Sequence, residues 1–142
     1  MRIGEVMSVR LVSVGPDDPV SLAVARMNEE NVGSVTVCDG PELVGIFTER
    51  DLVRLAGEGS RFAEVRISEV MTRRPVTVSP DDDIVSAARL MGERRIRHLP
   101  VVQDGFLLGV IGIRDVMGSL VERVWRDRDD AARETARELL RR

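Results

Sequence analysis

Apolar residues spaced three and four positions apart predict amphipathic helices in two matching parts of this chain. Val20, Val24 and Met27 lie at i, i+4 and i+7, which puts them on one face of a helix of about three turns. The same face returns 64 residues later, at Ile84, Ala88 and Met91. A Pro-Asp-Asp sequence precedes each pattern, at residues 16–18 and 80–82, and predicts helix starts with Asp caps.

Runs rich in β-branched residues predict three short strands in each part. A short run comes before each helix, and two longer runs follow it, joined by an Asp-Gly dipeptide typical of a hairpin turn. In chain order the runs are residues 12–14, 32–38 and 43–47, then 76–78, 96–102 and 107–111. A second helix follows each set, at 49–56 and from Ile113 onward, so each part has the order β-α-β-β-α.

The two parts are copies of one another. A shift of 64 positions places residues 2–53 on residues 66–117 without a gap, and 19 of the 52 pairs are identical. A lone unit of about 60 residues would bury only about 60% of its unfolded surface, whereas a paired unit of about 150 residues buries about 70%. We therefore expect an α+β (α/β) fold in which two half-domains share one core and carry related, mirrored sites.

The repeat ends near Met117, and residues 119–142 predict a C-terminal helical extension, in one piece or in two. This segment holds neither Gly nor Pro, and its apolar residues fall at roughly helical spacing on both sides of the charged run 126–130. Alternating charges are typical of a solvated helix face. The alternative is a dimer-contact or partner-contact helix with Trp125 as its anchor.

Composition limits the classes of function. The chain has 142 residues, a net charge of −3 and 3% aromatic residues, so neither a basic field nor stacking aromatics favour nucleic acid. All 21 basic residues are Arg, whose guanidinium suits carboxylate and phosphate groups. Cys38 is the only cysteine and His98 the only histidine, which leaves no disulfide, no credible metal site and no nucleophile–base pair.

Membrane and secretory signals are missing from the hydrophobic pattern. No stretch approaches 18 consecutive apolar residues, and the first residues lack the apolar region of a signal peptide. We therefore expect no membrane contact and a cytoplasmic protein.

The candidate chemistry lies where the last strand of each copy runs into its second helix. Thr48 and Asp51 have the spacing of a capping box, with Asp in place of the usual Glu. The start of a helix is also an anion site, because its N–H groups are free and its dipole end is positive. For one isolated copy the capping interpretation is the stronger. The second copy shifts the balance towards binding, because it keeps Arg114 and Asp115 but has Gly112 in place of Thr48, so Asp115 is not expected to form half of a Thr-Asp box.

With these features the chain resembles a tandem pair of CBS domains. The likeness rests on the doubled order of elements, on Glu-Val-Met at 5–7 and 69–71, on the run 97–102, and on a Gly-h-h-Thr-x-x-Asp motif before a helix. Two such domains form a Bateman module, here with pseudo-twofold symmetry. The resemblance covers residues 1–118, and it divides the chain into CBS domain 1 (1–56), a linker (57–65), CBS domain 2 (66–118) and the extension (119–142).

The resemblance implies regulatory binding of AMP, ADP, ATP or S-adenosylmethionine in clefts between the two halves, with no further cofactor. It implies that Asp51 and Asp115 hold ribose hydroxyls. It also implies that Thr48 bonds a phosphate, and that Arg50 and Arg114 can reach phosphates.

Each cleft in the family combines the Asp motif of one half with the first long strand and the N-terminal segment of the other. Opposite Thr48 and Asp51 this pattern places Arg97 and His98 near the phosphates, and Val70 and Met71 near the base. Opposite Asp115 it places Val32, Gly33, Ser34, Val6 and Met7. Since Gly112, Gly33 and Ser34 replace phosphate-capable side chains, the Asp51 cleft is expected to be the better phosphate site, and the other to hold a less charged adenosyl ligand or none. The nearby Arg94 and Arg95 are interpreted as a solvated helix end.

We expect a small regulatory sensor of adenine nucleotides, with no catalytic activity. Because family modules commonly pair, we expect a homodimer that relays ligand binding to an effector protein by a conformational change. The alternative that stays open is a ligand-free structural or oligomerisation scaffold. An enzyme and a nucleic-acid-binding protein are the weaker alternatives.

Overall fold

The computed structural model describes residues 1–141, and in it each copy of the repeat builds a small sheet with helices packed on it. The elements are a 3-10 turn at Ile3–Glu5, β1 Ser13–Val14, α1 Val20–Glu30, β2 Ser34–Asp39, β3 Glu42–Thr48, α2 Glu49–Gly57, α3 Ile67–Val70, β4 Thr72–Arg73, α4 Ile84–Arg94, β5 His98–Gln103, β6 Phe106–Gly112 and α5 Ile113–Arg141. The expected α+β architecture is confirmed.

Each sheet includes a segment from the other copy. The first sheet has the order β1-β2-β3-β4, with β1 parallel to β2 and the other neighbours antiparallel. Its last strand, β4, comes from the second copy and pairs Thr72 with Ile46. The second sheet is the antiparallel pair β5-β6, and Ser8 of the first copy pairs with Val110 at its edge. The start of each copy is thus exchanged into the sheet of the other.

The strand predicted at 76–78 differs from the structure. Only Val78 pairs there, through an isolated parallel bridge to Val101. The matching residues of the first copy do form β1, parallel to β2. The two copies therefore keep the same pairing partners, although the second keeps fewer of the hydrogen bonds.

The hydrophobic core has two parts, and each is completed by a residue from the other copy. Ile3 is fully buried among residues of the second copy such as Ile84 and Leu99. Ile67 is fully buried among residues of the first, including Phe47. The single shared core expected from the sequence is wrong, because each sheet packs the apolar face of its own helices and only the exchanged segments cross over.

The Pro-Asp-Asp sequences hold these exchanged segments by backbone hydrogen bonds. Two carbonyl groups of each sequence accept N–H groups from the start of the other copy, in the same pattern on both sides. The bonds run from Ile3 N to Asp82 O (2.8 Å), Gly4 N to Pro80 O (2.9 Å), Ile67 N to Asp18 O (2.9 Å) and Ser68 N to Pro16 O (2.9 Å).

One carboxylate of each sequence stabilises a turn and not the helix that follows. Asp18 accepts the N–H of Gly15 (2.7 Å), and Asp82 accepts that of Ser79 (2.9 Å). Asp83, the residue directly after the second sequence, caps α4 by accepting the N–H of Val85. The Asp caps predicted from the sequence are therefore wrong for α1, whose N-cap residue is Pro19 and has no side-chain cap.

The C-terminal extension continues the last helix of the repeat. α5 runs without a break from Ile113 to Arg141, so the two-piece alternative is wrong; Arg142, the last residue of the predicted extension, lies outside the described residues. Leu120 still packs on the second core, whereas every side chain from Val121 to Arg141 is exposed. None of the helices within residues 1–141 combines the length and apolar character needed to cross a membrane.

Candidate functional site

Two neighbouring cavities are built from residues of both copies. The Asp115 cavity has a volume of about 500 Å³ and the Asp51 cavity about 470 Å³, each named for the acidic residue at its helix start. Both volumes lie within the range of small-molecule sites. Glu49, Arg97 and His98 line both cavities, so these three side chains form a shared wall.

The Asp51 cavity brings together the polar residues that the sequence predicted to face one another. Thr48, Arg50 and Asp51 come from the end of β3 and the start of α2, and Arg97 and His98 come from the start of β5. Apolar side chains complete the lining, at Ile46, Pro75, Val76 and Ile96. The cavity thus has a polar end and an apolar wall.

Asp51 caps α2 and also lines the cavity. Its Oδ2 accepts the backbone N–H of Thr48 at 2.9 Å and the Thr48 hydroxyl at 3.3 Å. Its Oδ1 lies 3.7 Å from the Arg54 guanidinium, and the residue is only 8% exposed. The cap occupies one carboxylate oxygen, and the other keeps acceptor capacity for a ligand hydroxyl. Capping and binding are therefore compatible at this residue.

Arg50 has a structural partner that the sequence did not indicate. Its Nη1 donates a 2.9 Å hydrogen bond to the backbone carbonyl of Arg95. Arg95 ends α4 in the left-handed region, at φ 53°, where helix carbonyls lack partners within the helix. This bond connects α2 to α4. It also brings Arg95, interpreted from the sequence as part of a solvated helix end, to the lining of the Asp51 cavity.

The Asp115 cavity is also built from residues of the two copies. Arg114 and Asp115 at the start of α5 lie opposite the predicted strand residues Val32, Gly33 and Ser34. Asp115 Oδ2 accepts the backbone N–H of Gly112 at 3.4 Å. No Thr-Asp box forms there, because position 112 is a glycine; within residues 1–141 the Asp115 carboxylate accepts only the backbone N–H.

Three polar lining residues of the Asp115 cavity, Arg10, Asn31 and Glu49, were missed in the sequence. Arg10 lies there and forms an ion pair with Glu30, and Asn31 lies there at the C-terminal end of α1. Asn31 and Arg95 are counterparts under the 64-residue shift, and each lies three residues before a long strand. In the sequence, the signal that could have identified both residues was their position directly before the predicted strand residues.

The residues expected near a base do not line either cavity. Val70 and Met71 pack on the core of the first copy, and Val6 and Met7 pack on that of the second. The reason is the segment exchange, which lays both methionines against glycines of the sheets, Met71 against Gly45 and Met7 against Gly109. Thr72, Pro75 and Val76, a few residues further along the chain, lie at the Asp51 cavity instead.

The shared wall is crowded around Gly33. A Cβ atom on Gly33 would lie 3.1 Å from His98 Nε2 and 3.3 Å from the Glu49 carboxyl carbon. Burial lowers the pKa of His98 from its ordinary value, and the charge of Arg97 lowers it further, against the opposing effects of Glu49 and Asp115. At neutral pH the imidazole is therefore an uncharged hydrogen-bonding group of the wall. Within residues 1–141 no group of three or more His, Cys, Asp or Glu side chains is arranged to hold a metal ion.

Comparison with known proteins connects this double architecture to one family. A model of the CBS domain matches the chain twice, over residues 3–58 and 67–122. Over 111 residues the chain is 36% identical to the mitochondrial CBS domain-containing protein CBSX3 of Arabidopsis thaliana, a match that covers 74% of this chain and 54% of that protein. The chain thus spans about half the length of this relative.

Solved structures share the fold. The CBS domain NE2398 superposes with a TM-score of 0.81 at 31% identity, covering 85% of this chain and 98% of that one. The CBS domain protein PAE2072 of Pyrobaculum aerophilum, solved in complex with AMP, superposes with a TM-score of 0.76 at 25% identity, covering 81% and 89%.

Proposed function

Because this chain belongs to the CBS domain family and carries one CBS domain in each half, we propose that it is a regulatory module that binds an adenosyl compound between its halves. The observation that carries this proposal is the pair of cavities, each made from a helix start of one copy and a strand start of the other. The AMP complex of the archaeal relative supports the class of ligand. The family is regulatory, and we assign this chain no catalytic role.

The lining of the Asp51 cavity suits the three parts of an adenine nucleotide. The carboxylate of Asp51 can accept ribose hydroxyls. The start of α2, the Thr48 hydroxyl and the guanidinium of Arg97 can hold a phosphate. The apolar wall at Ile46, Val76 and Ile96 can cover the purine ring.

The two cavities are proposed to differ in the charge of their ligands. The Asp51 cavity has a threonine hydroxyl at its helix start, where the Asp115 cavity has Gly112. Gly33 and Ser34 likewise add no cationic group to the Asp115 cavity. We therefore assign the better phosphate site to the Asp51 cavity, and a less charged adenosyl ligand or none to the other.

Ligand binding would act on the arrangement of the two halves. A ligand in either cavity contacts both copies, so it favours the arrangement in which both sets of contacts are made. The shift can be only as large as the difference in affinity between the arrangements. We propose that an effector protein reads this change, and that the chain acts as a homodimer. The cytoplasmic location expected from the sequence stays a prediction.

The first test is thermal unfolding with AMP, ADP, ATP and S-adenosylmethionine, with GTP as a control. A ligand at about 100 times its Kd adds about 2.7 kcal/mol of stability, which raises the unfolding temperature by several degrees. We expect a shift with at least one adenosyl compound and none with GTP.

Two variants separate binding from folding in this test. Asp51→Asn keeps the size of the side chain but removes the charge, and we expect it to abolish the ligand-induced shift. Asp129→Asn makes the same change on the exposed part of α5 and should leave the shift as in the natural chain. No shift with any adenosyl compound at millimolar concentration would instead favour the ligand-free scaffold.

A further inference from the structure

Glu49 is the acidic residue of the wall that the two cavities share. It is the first residue of α2, and its side chain lines both the Asp51 cavity and the Asp115 cavity. Its counterpart under the 64-residue shift is Ile113, the first residue of α5, which lines the Asp115 cavity. The two copies therefore place a carboxylate at one of two equivalent positions and an apolar side chain at the other.

The carboxylate of Glu49 lies near His98 and Gly33 in this wall, on an exposed residue. Its carboxyl carbon is 3.3 Å from the position of a Cβ on Gly33, and His98 Nε2 is 3.1 Å from the same point. Glu49 makes no ion pair within 4.0 Å among residues 1–141. Its negative charge therefore faces both cavities without an ion-pair partner in this part of the chain, at the positive end of α2.

The groups that would attract phosphate lie in the same wall. Arg97 lines both cavities, so a ligand that bonds its guanidinium from either side has its phosphate end near Glu49. His98 adds no positive charge at neutral pH. Arg50 and Arg95 also line the Asp51 cavity, and Arg10 and Arg114 also line the Asp115 cavity. Arg50 is already bonded to the Arg95 carbonyl, and Arg10 is already paired with Glu30. Each further phosphate of a ligand would gain attraction from the arginines of its own cavity and meet repulsion from Glu49 in either cavity.

We propose that Glu49 is a specificity-determining residue that limits the negative charge of the ligand, and so favours adenosyl compounds with one phosphate or none over ADP and ATP. This inference rests on the proposed function, because it names the charge class of the same ligand. Glu49 acts through its charge, whereas Asp51 and Asp115 act by accepting hydrogen bonds.

The test measures the affinities of adenosine, AMP, ADP and ATP by titration calorimetry, without divalent cations. In Glu49→Gln we expect the ratio of ATP affinity to AMP affinity to rise about tenfold, and to rise less at high salt, where exposed charges are screened. Ile113→Glu adds a carboxylate at the equivalent position and should lower the ratio. Glu42→Gln, an exposed position in the β2–β3 hairpin, is the matched control and should leave it unchanged.

A parallel series with inorganic phosphate, pyrophosphate and tripolyphosphate separates the two proposals. If adenosyl compounds bind but Glu49→Gln leaves the ratio within about twofold of the natural chain, the inference about Glu49 is wrong and the proposed function stands. If no adenosyl compound binds, but Glu49→Gln raises tripolyphosphate affinity relative to phosphate, the proposed ligand is wrong. The proposal that Glu49 limits the negative charge of the ligand then stands. If neither series responds, both are overturned.

Discussion

At the scale of single residues, the differences between the copies follow from crowding where the copies meet. Gly33 and Arg97 are equivalent under the 64-residue shift, as are Ser34 and His98. A side chain on Gly33 would press on both His98 and Glu49. A side chain at Gly33 would therefore require His98 and Glu49 to move, so the glycine leaves space for the His98 ring in the shared wall.

The lowered pKa of His98 predicts a specific dependence of stability on pH. The folded chain holds the His98 proton less tightly than the unfolded chain does. The free energy of unfolding therefore has its full value above about pH 6.5, and it decreases as the pH drops from there towards the folded pKa. Glu49, Arg97 and Asp115 are the charged groups that face it.

Urea unfolding at about pH 7 and about pH 5 tests this dependence, with His98→Gln beside the natural chain. We expect the loss of stability on acidification to be smaller in the variant, because a glutamine does not titrate. An equal loss in both proteins would mean that carboxylates alone account for it.

At the scale of elements, two equivalent glycines allow the exchanged segments to pair closely with the sheets. A Cβ on Gly45 would lie 2.5 Å from Met71 Sδ and 3.0 Å from the Thr72 carbonyl oxygen. A Cβ on Gly109 would overlap the backbone carbonyl oxygen of Ser8. Both glycines are needed for space, because the paired segment of the other copy, β4 at Gly45 and the Ser8 bridge at Gly109, lies directly beside them.

Substitution by alanine should lower the free energy of unfolding by different amounts at the two glycines. Gly109→Ala meets a backbone atom, which cannot move without disturbing the pairing of Ser8 with Val110, and we expect a loss of about 2–3 kcal/mol. Gly45→Ala meets first the thioether of Met71, which can rotate, and we expect about 1 kcal/mol. Chemical denaturation of both variants measures the difference. A larger loss of stability for Gly45→Ala than for Gly109→Ala would contradict the conclusion that the closer contact is the one between Gly109 and Ser8.

At the scale of the whole molecule, the exchange makes each half depend on the other. The backbone bonds that hold Ile3 and Ile67 in the opposite copies are equivalent on both sides, and each isoleucine is fully buried in the opposite core. A half that separated would leave an apolar gap in the core of its partner. The two CBS domains should therefore unfold together.

This dependence predicts one calorimetric transition for the natural chain and for Ile3→Ala and Ile67→Ala. Each variant leaves a cavity in the core of the other copy and should lose about 2–5 kcal/mol. The van't Hoff and calorimetric enthalpies should agree in all three proteins. Two separate transitions, or a transition of only one half in Ile3→Ala, would show that the halves fold independently.

The sequence by itself determined the local elements and the repeat. The helix of Val20, Val24 and Met27, the hairpin around residues 39–40 and the acidic helix start at Asp51 depend on neighbours within a few residues, where periodicity and turn chemistry carry the information. The prediction that His98 lies opposite Asp51 came from the resemblance to a family. The doubled motif made that resemblance specific.

Only the tertiary structure decided where the exchanged segments lie and which side chains share the wall between the cavities. In the structure Met71 packs against Gly45 and does not line the cavity, the core has two parts where one was expected, and Glu49 faces both cavities. These outcomes depend on contacts between residues about 60 positions apart. Such contacts are set by the packing of one copy against the other, and a short-range pattern of apolar and polar residues does not record them.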